Sequence, residues 1–275
     1  MASSLRFTNR ELVMELHRTC AEGDTHALDD VLSACFAAGD DPVHLLSQTT
    51  NAGGSIALMR AAHGGHIAVV QKLLGLLGQS RKEGNNNNNN IVNQRDDTYG
   101  TTSLMLACAG GHHEVVEVLL AQPCINMQAA DREGRTALLY AARKGHLHCC
   151  QALLLRHSHS TTESSSSFVN QGDETGLSPL QAASLNNHVE VVELLLDQGG
   201  ACVDQVDVTG STALMGAAFK GHVNVVSCLL RAGASTSRVD GEGLNAQAWV
   251  QEGGRGNNTI LAQMLDSSHD RTKKK

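Results

Sequence analysis

The stretch from Asp207 to Leu230 reads Asp-Val-Thr-Gly-Ser-Thr-Ala-Leu-Met-Gly-Ala-Ala-Phe-Lys-Gly-His-Val-Asn-Val-Val-Ser-Cys-Leu-Leu, and its parts recur along the chain. No other feature constrains the fold as tightly. Asp207 to Gly210 reads as a polar turn, and Leu214, Ala217 and Ala218 as the packing face of a short helix. Gly221-His222 is a second turn, and Val225, Val226, Leu229 and Leu230 form the apolar stripe of a second helix. A helix pair this small cannot bury its apolar face alone, so copies must stack on one another.

After a lead-in, residues 1–8, a degenerate copy opens at Asn9 with Leu16-His17-Arg18-Thr19-Cys20, Gly23-Asp24, Leu28, Val31 and Leu32. It reads as an N-terminal cap, because the end of a stack faces water on one side. The next copy starts near 51 and carries Leu58, Ala61, Ala62, Gly65-His66, Val69, Val70, Leu73 and Leu74. Ile56 stands where Thr would cap its first helix, so Ser55 must serve, or the cap is lost at a cost of about 1 kcal/mol. Further copies start at Asp97, Asp131, Asp173, Asp207 and Asp240, and the last ends with Ile260, Leu261, Met264 and Leu265 as a C-terminal cap. Two polar insertions, 79–92 with its six asparagines and the Ser/Thr-rich 157–168, are expected to be disordered, and 267–275 is a solvated basic tail.

The turn aspartates at 97, 131, 173, 207 and 240 are separated by 34, 42, 34 and 33 residues, and the 42 shrinks toward 33 without the Ser/Thr insertion. Ser178-Pro179-Leu180-Gln181 is close to a Thr-Pro-Leu-His helix start, with Ser as the cap and Pro in the first helical position. On these residues the chain resembles the ankyrin-repeat family over 9–266. The resemblance implies an all-α solenoid of stacked helix-turn-helix units with short turns or β-hairpins, seven repeats in all. Met59, Met105, Leu139 and Met215 replace the family's signature His, which puts its inter-repeat hydrogen bond in doubt there. Asn187 replaces the glycine before His188, and Asn tolerates the left-handed conformation that ends a helix. The resemblance also makes Asn170 a candidate for hydroxylation.

The net charge of −7 and the presence of only four Phe, two Tyr and one Trp argue against nucleic acid as a partner. No apolar run is long enough for a signal peptide or a membrane span, and eight cysteines without a regular framework fit a reducing compartment. The chain is therefore expected in the cytoplasm as a monomer, and the Asn257-Asn258-Thr259 sequon is read as chance. Lys273 to Lys275 would make at most a weak nuclear import signal. His146, His148, Cys149, Cys150, His157 and His159 hold metal-ligand chemistry, but the repeat explains His146 and both cysteines, leaving no metal or other cofactor expected. Gly241-Glu-Gly243-Leu-Asn-Ala246 matches a dinucleotide fingerprint without the strand that must precede it. No catalytic motif is present, so the chain is read as non-catalytic.

What remains is a binding surface. In stacked helix pairs the first helices and turn tips line one concave face. There the outward positions are Arg18, Arg60, Leu106, Tyr140, Ala182 and Gly216, with Arg143, Lys144, Leu185, Phe219 and Lys220 about a turn further on and Tyr99 at a turn tip. Leu106, Tyr140, Leu185 and Phe219 would form an apolar centre within a basic rim, a surface suited to a protein partner. The family resemblance implies an adaptor, scaffold or regulatory module; the alternative is an accessory subunit or substrate receptor of an enzyme complex such as a ubiquitin ligase.

Overall fold

The computed structural model describes residues 8–38, 42–48, 56–82, 91–158, 165–253 and 258–272. Sixteen helices and no strand occur among them. The chain divides into two compact units, Met1–Arg132 and Glu133–Lys275.

In the first unit, helices α1 (Asn9–Glu22) and α2 (Thr25–Ala38) pair, as do α4 (Ala57–Gly64) with α5 (Ile67–Lys82) and α6 (Ser103–Gly110) with α7 (His113–Leu120). First helices pack on first helices, α1 on α4 and α4 on α6, and α5 packs likewise on α7. The short α3 (Pro42–Ser47), which the repeat pattern does not foresee, buries Leu45 and Leu46 and packs against α5. The second unit repeats the scheme with α8 (Ala137–Lys144) and α9 (Leu147–Ser158), α11 (Pro179–Leu185) and α12 (Val189–Asp197), α13 (Ala213–Lys220) and α14 (Val223–Arg231), and α15 (Ala246–Gly253) and α16 (Asn258–Thr272). Helix α10 (Ser165–Asn170) leads into α11.

The repeated small residues explain why the first helices can lie side by side. Ala61, Ala62, Ala107, Cys108, Ala141, Ala142, Ala183, Ala217 and Ala218 are all buried, and a larger side chain at these positions would hold the backbones apart. The second helices supply the bulk through Val69, Val70, Val115, Val116, Val191, Val192, Val225 and Val226 with their following leucines. Each such side chain contributes about 1.5–3 kcal/mol when fully buried.

The helix ends follow the sequence closely. Thr102, Thr136, Ser178 and Thr212 cap α6, α8, α11 and α13 by accepting the backbone N–H three residues on. Ile56 does not cap α4, but its side chain is wholly buried, and Ser55 lies outside the described residues. Asn187 has a φ of 62° where the other repeats place glycine, in keeping with its expected role.

Several expectations are corrected. Thr8 belongs to the folded part, because it caps α1 in a reciprocal arrangement with Glu11. The turn aspartate of the first complete turn is Asp96, not Asp97: its carboxylate accepts the N–H groups of Thr98, Tyr99 and Gly100, while Asp97 is exposed beside it. Helix α5 runs to Lys82, into the expected insertion, while Ile91 and Val92 at its far end are buried; 83–90 lie outside the described residues. At the second insertion His157 is buried and stacks on Phe168, with ring centroids 4.4 Å apart. Residues 159–164, including His159, lie outside the described residues. Ile260 faces outward at 52% exposure, leaving Leu261 and Leu265 as the buried stripe of α16. That helix extends to Thr272, through most of the expected tail.

Candidate partner-binding face

Between stacked pairs the connection is a histidine. The Nε2–H groups of His66 and His112 donate to the backbone carbonyls of Ala21 and His63, both at 2.9 Å. In the second unit His188 and His222 donate to Arg143 and Leu185, both at 3.1 Å. The inter-repeat bond thus comes from the Gly-His turn rather than from the helix-start position held by Met59, Met105, Leu139 and Met215, all buried. The corresponding Gln181 makes both a cap bond, accepting from Ser178 N–H at 2.8 Å, and a bond to the next repeat, donating to the Ser211 carbonyl at 2.8 Å. The turn tips are also linked: Arg132 N–H donates to the Tyr99 carbonyl, Glu174 to Glu133, Val208 to Thr175 and Gly241 to Thr209, at 2.8–2.9 Å. These bonds fix the first helices and the tips in register.

In the first unit Arg18 is exposed and paired along its own helix with Glu15 and Glu22. Arg60 is half-buried and donates from Nε to His17 Nδ1 at 3.2 Å. The His17 ring, 3% exposed, donates from Nε2 to the Gln48 carbonyl. Burial pushes the His17 pKa down, the bond to Gln48 opposes this, and the Arg60 charge adds to the lowering. Arg18 and Arg60 are therefore engaged within the fold. Leu106 is half-buried on α6, and Tyr99 stands out at the turn tip at 59% exposure.

The second unit places its candidate residues on successive first helices. Tyr140, Leu185 and Phe219 are half-buried on the adjacent helices α8, α11 and α13. The Arg135 guanidinium lies 5.1 Å from the Tyr140 ring centroid and pairs with Glu133 at 2.7 Å. Leu185 leans over Gly216, where a Cβ would come within 2.8 Å of Leu185 Cδ2. Phe219 meets Trp249 edge to face, with centroids 5.3 Å apart, and the Trp249 indole N–H donates to Asp240 at 2.8 Å. Lys220 Nζ sits 5.8 Å from the Phe219 ring, and Arg143 and Lys144 are exposed at the end of α8. Ala182, expected to face outward, is buried, since α11 is closely flanked by α8 and α13.

Trp249 and Arg135 are part of this face although the repeat reading leaves them out. The signal was present: Trp249 follows Asn245 by four residues, as Tyr140 follows Thr136. Val206, Val208 and Val239 are further exposed apolar groups, in and beside the turns, at 40%, 72% and 56%.

Among the described residues no group of three or more His, Cys, Asp or Glu side chains could hold a metal ion. Cys149 and Cys150 are core residues, and burial pushes the Cys150 thiol pKa up. Gly241 to Ala246 form a turn tip and the start of α15, with no strand before them. Asn170 Oδ1 accepts the Cys202 N–H at 2.8 Å, a turn-bracing role. No described helix is long and apolar enough to cross a membrane.

The helix pairs, the Gly-His connections and the linked tips define a class of stacked helical repeats. A family model of ankyrin repeats, in three copies, matches residues 58–164 and 159–240, and the chain belongs to that family. No curated protein matches the chain significantly. Ankyrin repeats are generally protein–protein interaction modules and typically non-catalytic, which implies protein partners.

Proposed function

We propose that the chain is a non-catalytic adaptor or regulatory module of the cytoplasm that grips a protein through the face its first helices present. On this reading residues 9–266 comprise seven repeats, with the helix pairs outside the family match serving as caps. The observation that carries the proposal is the row Tyr140, Leu185, Phe219 and Trp249 in the second unit, half-buried and bordered by Arg143, Lys144 and Lys220. Large rings held by neighbours but still reachable present apolar area whose rotamers are already restricted, so binding has less side-chain entropy to lose. Tyr99, Leu106, Arg18 and Arg60 are secondary contacts of the first unit on this reading.

Affinity purification of the wild type beside a Tyr140→Ala/Phe219→Ala double variant tests it, with circular dichroism confirming that the variant folds. Specific proteins are expected to disappear from the variant's eluate. If the same proteins elute with both, recognition lies elsewhere.

A further inference from the structure

Arg143 and Lys144 close α8 and Lys220 closes α13, and none of the three forms an ion pair among the described residues. The nearby Arg135 and Arg231 do, with Glu133 and Glu193. In a chain of 28 acidic and 21 basic residues, unmatched cations gathered on one face stand out. They also border the apolar row, Lys220 against the Phe219 ring itself. The equivalent end of α11 carries Leu185 and Asn186, so the face alternates positive, neutral and apolar, positive.

We propose that the occupant of this face is an acidic linear segment of a partner protein, with two carboxylate-bearing clusters on either side of an aliphatic or aromatic side chain. This rests on the functional reading above. The carboxylates meet Arg143 and Lys144 at one end and Lys220 at the other, while the apolar side chain lies on Leu185 and Phe219. Helices in contact are about 8–10 Å apart, so α8 and α13, each packed on α11, stand roughly 20 Å apart. An extended chain covers that span in about six residues, which sets the separation of the acidic clusters. Charge complementarity favours a polypeptide over a nucleic acid, because Leu185 and Asn186 interrupt the cationic track that a phosphate backbone would follow.

The test is selection of random linear peptides displayed on phage against the full chain, followed by fluorescence anisotropy with the enriched peptides. Enriched sequences are expected to carry Asp/Glu clusters flanking an apolar residue. Lys144→Glu/Lys220→Glu should weaken their binding by about ten-fold or more, and raised salt should weaken it further. Should the reversed-charge variant misfold, Lys144→Gln/Lys220→Gln serves, with a smaller loss expected. A consensus without acidic residues, no enrichment at all, or affinity indifferent to either lysine variant overturns the proposal. Neutral peptides that Tyr140→Ala/Phe219→Ala releases sink the acidic segment but leave the face as the binding site. Peptides that bind that variant unchanged sink both.

Discussion

Gly145 shows how a single residue serves two ends. Its φ of 76° suits the left-handed end of α8, and a Cβ there would overlap the His188 ring that bonds across to Arg143. Gly145→Ala is expected to cost about 1–3 kcal/mol, read as a lower urea midpoint with unchanged slope. His17 makes a different prediction. Its folded pKa lies below the unfolded value of about 6.5, so between the two the unfolded chain binds more protons. The stability this group contributes is complete above that unfolded value and falls as the pH drops toward the folded pKa. Melting midpoints between pH 7.5 and 5 should therefore decline more steeply for the wild type than for His17→Asn.

Beyond α1, each first helix is only about two turns long and is held by its ends as much as by its face. Gln181 braces α11 at both, bonding its own cap and the turn of the next repeat. In α6 and α13 the corresponding Met105 and Met215 sulfurs lie 3.4 Å from the capping residue's N–H, a weaker arrangement that makes no bond onward. Gln181→Met should consequently cost about 1 kcal/mol, measurable by chemical denaturation. On either side of residues 159–164, His157 and Phe168 stack on each other. Phe168→Ala should cost about 3–5 kcal/mol, since Phe168 is almost wholly buried, and its melting midpoint would report the loss.

Across the molecule the turns depend on carboxylates that must stay ionised. Burial pushes the Asp96 carboxyl up, but Thr101 and the backbone N–H groups of Tyr99, Gly100 and Thr101 together hold it below its usual range. The Leu244 N–H is the main cause of the same lowering at Asp240, and the Ala27 N–H at Asp24. Stability from these groups is present above their unfolded pKa of about 3.9 and is lost as the pH falls through the lower folded values. Far-UV circular dichroism should show unfolding setting in below about pH 4, and Asp96→Asn should unfold with a shallower acid dependence. Stacked helix pairs, their capping threonines and the positive φ of Asn187 were legible in the sequence. Each depends on near neighbours at a fixed spacing, and a period of about 33 residues repeats the evidence several times over. The candidate face was legible only as positions, Tyr140, Leu185 and Phe219 on the outward side of equivalent helices. Tertiary structure alone decided that His157 finds Phe168 across an insertion, and that Trp249 closes on Phe219. It also tied Arg60 to His17 and placed the inter-repeat bond on the Gly-His histidines. The reason is physical: a repeat fixes which side chains must be buried, whereas the pairing of the remaining polar and aromatic groups depends on distances that exist only once the copies are stacked.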